Sequence, residues 1–127
     1  NHRPEILELH QDLLKNAPRG KRIIPADGIV KNLKRRGVTV LNPDLQAPTI
    51  TSIPDDYIHY LEPRIMTVRE MARIQSFPDS YKFFGKYTTG GQERKKDVPR
   101  YTQIANAVPP LFAEQIGSII INVLEKR

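Results

Sequence analysis

Eleven prolines and seven glycines interrupt this chain of 127 residues, so its fold must be assembled from short elements joined by much irregular structure. Hydrophobic residues make up 39% of it, on the low side for a compact domain, although the length suffices for one core. Such a chain is expected to be modestly stable alone or to lean on a partner surface. As an isolated chain its fold class reads as α+β.

Twenty lysines and arginines against fourteen acidic residues give a net charge of +6 and a pI near 9.7. That balance favours a polyanionic partner, most often nucleic acid, while a solvated basic surface accounts for the same count. No apolar run approaches the roughly 20 residues needed to span a bilayer, so no membrane partner is expected. The start, Asn1-His2-Arg3-Pro4-Glu5, shows no signal-peptide pattern, and a cytoplasmic protein is the simplest expectation. The chain has no cysteine, which excludes disulfides and thiolate metal sites. His2, His10 and His59 are spaced too widely for a zinc signature, so no metal is expected.

Pro4 suits the first turn of a helix, and Ile6, Leu7, His10, Leu13 and Leu14 share one face up to a stop near Asn16. Asp27 is predicted to cap a second, shorter helix carrying Ile29, Val30 and Leu33, with Gly37 just past its end. The outer face of that helix would hold Lys31, Lys34, Arg35 and Arg36. It reads either as a solvated face or as a set of phosphate contacts. Val38–Leu41 and Thr49–Thr51 are β-branched runs predicted as short strands, with turn chemistry at Asn42-Pro43-Asp44 and Ala47-Pro48 between them.

Thr67-Val68-Arg69-Glu70 has the spacing of a capping box, and Glu70 needs no other role. Phe77-Pro78 should end the helix that follows. Gly85 to Arg100 reads as a breakpoint containing a glycine pair and the cations Arg94, Lys95 and Lys96. It fits a mobile surface loop or a loop that follows a DNA strand. The last helix opens at Pro109-Pro110 and carries an apolar stripe of Phe112, Ile116, Ile119, Ile120, Val123 and Leu124. Gly117 within it suggests a close backbone approach by something packed there. So apolar a terminal helix is expected to dock into a larger body.

Two blocks, Arg64–Asp79 and Tyr101–Pro110, resemble in their order and separation the last two conserved blocks of the DNA (cytosine-5) methyltransferases. Asn1-His2, Ala47-Pro48-Thr49-Ile50-Thr51 and Ile58-His59 through Pro63-Arg64 are similar to the family's variable target-recognition region. The resemblance implies a large Rossmann-like domain that binds S-adenosylmethionine and a smaller domain that reads duplex DNA, with the target base flipped between them. It also implies a cysteine that attacks cytosine C6 and a glutamate that assists at N3, in Pro-Cys and Glu-Asn-Val motifs absent from this chain. Carried over to these positions, Arg64, Thr67, Arg69, Glu70, Arg73 and Gln75 organise the small domain. Thr49 and its neighbours approach DNA; apart from the resemblance, charge alone puts Lys31, Lys34, Arg35, Arg36, Arg94, Lys95 and Lys96 among the candidate DNA contacts. Asn106, Ala107 and Val108 complete the cofactor pocket, and Ala105 stands where the family usually has glycine.

The chain is therefore expected to be the C-terminal portion of such an enzyme, inactive alone because it lacks the catalytic cysteine. Residues 1–63 would belong to the recognition region, 64–100 to a brace helix and basic loop, and 101–127 to the final block and docking helix. Its partners would be double-stranded DNA and a catalytic large domain or complementary subunit, in the cytoplasm at a prokaryotic nucleoid. S-adenosylmethionine would bind only with that missing domain. A free-standing DNA-binding module, or a non-catalytic subunit of a split methyltransferase, is the alternative. A packing domain without DNA contact is a third reading.

Overall fold

The computed structural model describes residues 3–30, 33, 37–88 and 96–126. It is α+β, with two compact units, residues 1–67 and 68–127.

The first unit begins with helix α1, Pro4–Asn16, at the predicted bounds. His10 and Leu13 are its buried residues, whereas Leu7, expected on the same face, is 39% exposed. The chain turns at Gly20 and forms strand β1, Arg22–Ile23, which pairs antiparallel with β2, Val38–Val40. Strand β3, Tyr57–Ile58, lies parallel to β2 on its other side, with Val40 opposite Ile58. Leu13 and Ala17 join Ile23, Val30, Leu33, Val38, Val40 and Ile58 in one core.

Two expectations fail here. Asp27 does not start a helix. It closes a 3-10 turn, Pro25–Asp27, by accepting the N–H of Ile24 at 2.9 Å, and Gly28 follows at φ 64°. Gly28 ends the turn in the left-handed region, so Ile29 and Val30 lie outside any helix, although Val30 and Leu33 are still buried. Nor is Thr49–Thr51 a strand. Pro48 lacks an N–H for a ladder, and the Thr51 hydroxyl binds the Asp56 carboxylate at 2.9 Å, a local bond that replaces sheet pairing. The third strand is instead Tyr57–Ile58, reached through a 3-10 turn at Pro54–Asp56.

The second unit holds helices α2, Val68–Ile74, α3, Arg100–Asn106, and α4, Pro110–Glu125. Met71, Ala72, Phe83, Tyr101 and Ile104 are its buried apolar residues. Phe77, Tyr81 and Phe83 meet with ring centroids 4.9 to 5.1 Å apart. Helix α4 buries no residue, and its stripe residues Phe112, Ile119, Val123 and Leu124 are all more than half exposed.

By length and composition, Arg100–Glu125 is apolar enough to cross a membrane, which corrects the expectation that no such run exists. The stretch is interrupted between α3 and α4. Helix α4 alone, with 16 residues, spans roughly 24 Å, short of the ~30 Å hydrocarbon core of a bilayer.

Candidate functional site

The two sequence blocks meet where α2 ends. Ser76 takes φ 61°, making it the non-glycine residue with positive φ among the described residues. Its N–H bonds to Arg73 O at 2.9 Å and that of Phe77 to Ala72 O at 2.9 Å, the paired bonds of a Schellman ending. That conformation normally calls for glycine.

A second contact accounts for the serine. Its Oγ accepts the N–H of Leu111, the second residue of α4, at 3.1 Å. Helix α4 has proline at its cap and at its first position, so neither supplies an N–H and the cap has no side-chain oxygen. Ser76 caps it from another element. One residue earlier, the Gln75 amide donates to Ile104 O at 3.2 Å, near the end of α3. Consecutive residues thus hold both helix ends that flank the elbow Ala107-Val108-Pro109.

Helix α2 begins one residue after Thr67, placing Thr67 at the cap position and Glu70 at the third helical position, as the capping-box spacing requires. Arg69 donates to Pro78 O at 3.2 Å and Tyr81 O at 2.6 Å, fixing the chain beyond the helix. Arg73 makes a bidentate pair with Asp79, at 2.9 and 2.8 Å. The hydrogen bond from Arg73 holds the Asp79 carboxyl below its ordinary value and, reciprocally, raises the arginine. A lowered folded value means the pair contributes above the unfolded carboxylate pKa near 4, and the contribution is lost as pH falls through the folded value. Asp79 is accordingly expected to titrate below the usual carboxylate range by NMR and to return to it in Arg73→Gln. An unchanged titration in that variant would remove the pair as the cause.

The final block also pins the Gly85–Arg100 segment at its two ends. Gln103 Nε2 donates to Phe84 O at 2.9 Å and Val98 O at 2.8 Å. Arg100 donates through Nε to Gly85 O at 2.8 Å and through its backbone to Lys86 O at 2.9 Å. Its guanidinium lies 4.3 Å from the Tyr87 ring centroid. Lys96 is exposed beside this neck. Arg94 and Lys95, like Lys31, Lys34, Arg35, Arg36 and His2, lie outside the described residues.

In the first unit Thr49 is exposed on the segment between β2 and β3. That segment is anchored by the Tyr57 hydroxyl, which donates to Thr49 O, and by an Asn42 turn in which Oδ1 accepts the Asp44 N–H at 2.9 Å. Arg64 donates to Glu62 at 2.7 Å and to Ile65 O at 3.1 Å. The buried His59 accepts the N–H groups of Leu61 and Glu62 on Nδ1, both at 3.2 Å, and its backbone N–H donates to Arg64 O at 2.8 Å. His10 is buried and bonds to Pro63 O at 3.3 Å.

Asn106 ends α3, and Ala107 and Val108 form the elbow, with Val108 62% exposed. Ala105 sits inside α3, so an alanine there carries no positive-φ strain. Gly117 has nothing within 4 Å of where a Cβ would be, so the close approach expected there is not made by the described residues.

Ser76, Arg100 and Gln103 were not among the residues singled out from sequence. Two signals mark the first of them. A serine between a helix and Phe-Pro occupies a glycine position, and a helix opening at Pro-Pro must be capped from elsewhere.

Residues 6–122 match the family described as C-5 cytosine-specific DNA methylase. Type II methyltransferase M.AquIB of Picosynechococcus sp. is 39% identical over 82 residues, 63% of this chain and 59% of that protein. M.DdeI of Desulfomicrobium norvegicum is 49% identical over 74 residues, 58% of this chain and 17% of its own length. M.Bpa9945I of Bacillus paralicheniformis is 33% identical across 98% of this chain, which spans 23% of that protein. The chain thus spans less than two thirds of each of these relatives. No solved structure matches.

Proposed function

The chain belongs to the C-5 cytosine-specific DNA methylase family, and from that premise we propose that it supplies the C-terminal part of a DNA (cytosine-5) methyltransferase. The complete enzyme moves a methyl group from S-adenosylmethionine to C5 of cytosine in duplex DNA. The observation that carries this reading is the uncovered apolar stripe of α4, joined through a clasped elbow to the block that marks the family. An exposed face of this kind is what a helix shows when the body it packs against is missing. A Rossmann-like catalytic domain is that body, and it brings the cysteine that these 127 residues lack.

Within that assembly residues 1–63 read DNA, through the Thr49 segment and the cations Lys31, Lys34, Arg35 and Arg36. Arg94, Lys95 and Lys96 add phosphate contacts from the loop whose neck Gln103 closes. The elbow completes the cofactor pocket. Asn106 offers an exposed carboxamide and Val108 an apolar surface beside it, which fit one wall of a pocket for a purine-bearing cofactor. When bound, S-adenosylmethionine supplies the methyl group; these residues only position it.

A catalytic part on a separate chain is supported by the size of one relative. Its 82 matched residues are 59% of M.AquIB, so that protein is about 140 residues long, whereas the 74 matched residues of M.DdeI are only 17% of its length. Methyl transfer is expected only when this chain is combined with a catalytic part carrying the Pro-Cys block, whether fused or added as a second chain. Tight, sequence-specific DNA binding by this chain alone, unimproved by that part, would favour the free-standing module instead.

A further inference from the structure

We infer that Ser76 is a positioning residue for the cofactor, acting through the cap it places on α4. The hydroxyl is held in place by an unfavourable backbone conformation, φ 61°, which glycine would adopt without strain. What glycine lacks is the oxygen that accepts the Leu111 N–H at 3.1 Å. Pro109 and Pro110 leave α4 with fewer orphan N–H groups than usual, and Ser76 satisfies one of them.

Gln75 does the same for α3 through Ile104 O at 3.2 Å. The three residues between the helices, already tied to them by Ala107 N–H to Ile104 O at 3.2 Å and Ala113 N–H to Pro109 O at 3.0 Å, are therefore also held from one fixed point at the end of α2. Moving that point moves Asn106, Ala107 and Val108 together. Nothing in the mechanism requires Ser76 to touch substrate or cofactor. Its effect passes through the start of α4. The inference rests on the proposed place of the elbow in the cofactor pocket.

The test uses the assembled enzyme, this chain with its catalytic part, and reads three quantities. These are the equilibrium Kd for S-adenosylmethionine, kcat at saturating cofactor, and hydrogen exchange at the Leu111 amide. Ser76→Ala is expected to weaken cofactor binding about tenfold and speed Leu111 exchange about tenfold, with kcat within about twofold. Ser76→Gly relieves the backbone strain, so it folds at least as well, and is expected to show the same two losses. Ser76→Asn tolerates the left-handed conformation and carries an acceptor, so it should recover both.

A merely structural serine would change thermal stability while leaving the Kd alone. Val108→Asp separates the two ideas. If it weakens cofactor binding and Ser76→Ala and Ser76→Gly do not, the positioning role is overturned while the elbow keeps its place in the pocket. If neither Val108→Asp nor the Ser76 variants alter the Kd, the placement of the elbow falls, and the positioning role with it.

Discussion

Replacing Ile116 and Ile120 by aspartate is expected to abolish assembly with the catalytic part and take methyl transfer below detection. The helical content of this chain should meanwhile stay as it was. Both side chains lie on the stripe of α4, 43% and 54% exposed, and the helix buries nothing against its own unit. An aspartate therefore keeps access to water at both positions in the free chain. In the assembly each substitution loses the burial of an isoleucine, about 1.5–3 kcal/mol. Each also sinks a carboxylate into an apolar face, at several kcal/mol more. Two such changes together exceed roughly 6 kcal/mol, more than 10⁴-fold in an association constant.

Co-elution on gel filtration measures assembly, and far-UV circular dichroism of the free chain measures folding. Assembly that survives the double substitution would put the docking face elsewhere and leave the stripe without a role. Loss of helix in the free chain would instead mean that α4 is already packed. Gly117, with open space where a Cβ would be, lies on the same helix. It is a natural place for the proposed catalytic part to approach the backbone closely.

What was legible in the sequence followed from strong local signals. Helix α1 has proline at its start and a regular apolar face, and its bounds came out as read. The turn at Asn42 and the opening of α4 at Pro110 have chemistry that admits few alternatives. The failures have a common physical form. Asp27 is a good cap residue, but whether it opens a helix or closes a 3-10 turn depends on Gly28 and on the Ile24 N–H it can reach. Thr49–Thr51 has the composition of a strand, yet Thr51 found Asp56 first. In each case a side chain with two possible partners was decided by a neighbour that periodicity does not weigh.

The candidate site shows the same limit at longer range. The two blocks could be recognised separately, but not the reason they occur together. In the fold they are joined by a pair of hydrogen bonds, from Gln75 to Ile104 and from Leu111 to Ser76, across 29 and 35 residues of sequence.

Ile58→Ala is expected to cost the first unit about 2–5 kcal/mol, a large part of the stability of a chain this size. Ile58 is fully buried in β3, sits opposite Val40 of the central strand, and bridges to Ile65 on its other side. Its core neighbours Leu13, Ile23 and Val40 cannot collapse into the space cheaply, because they are themselves at most 1% exposed. In urea the midpoint for this unit should fall by roughly 1–3 M, given an ordinary dependence on denaturant. Leu61→Ala, at a residue 72% exposed, should move it by no more than about 0.5 kcal/mol.

On the proposed DNA-reading role of the Thr49 segment, the consequence reaches recognition through the residues on either side of Ile58. Tyr57 anchors the Thr49 segment through its hydroxyl, and His59 holds the turn at Leu61 and Glu62 through Nδ1. Loosening β3 frees both at once. DNA affinity of the assembled enzyme should therefore fall in Ile58→Ala although its side chain is fully buried, and the loss should be smaller under conditions that refold the unit. A destabilised unit with unchanged DNA affinity would show that recognition does not depend on the Thr49 segment.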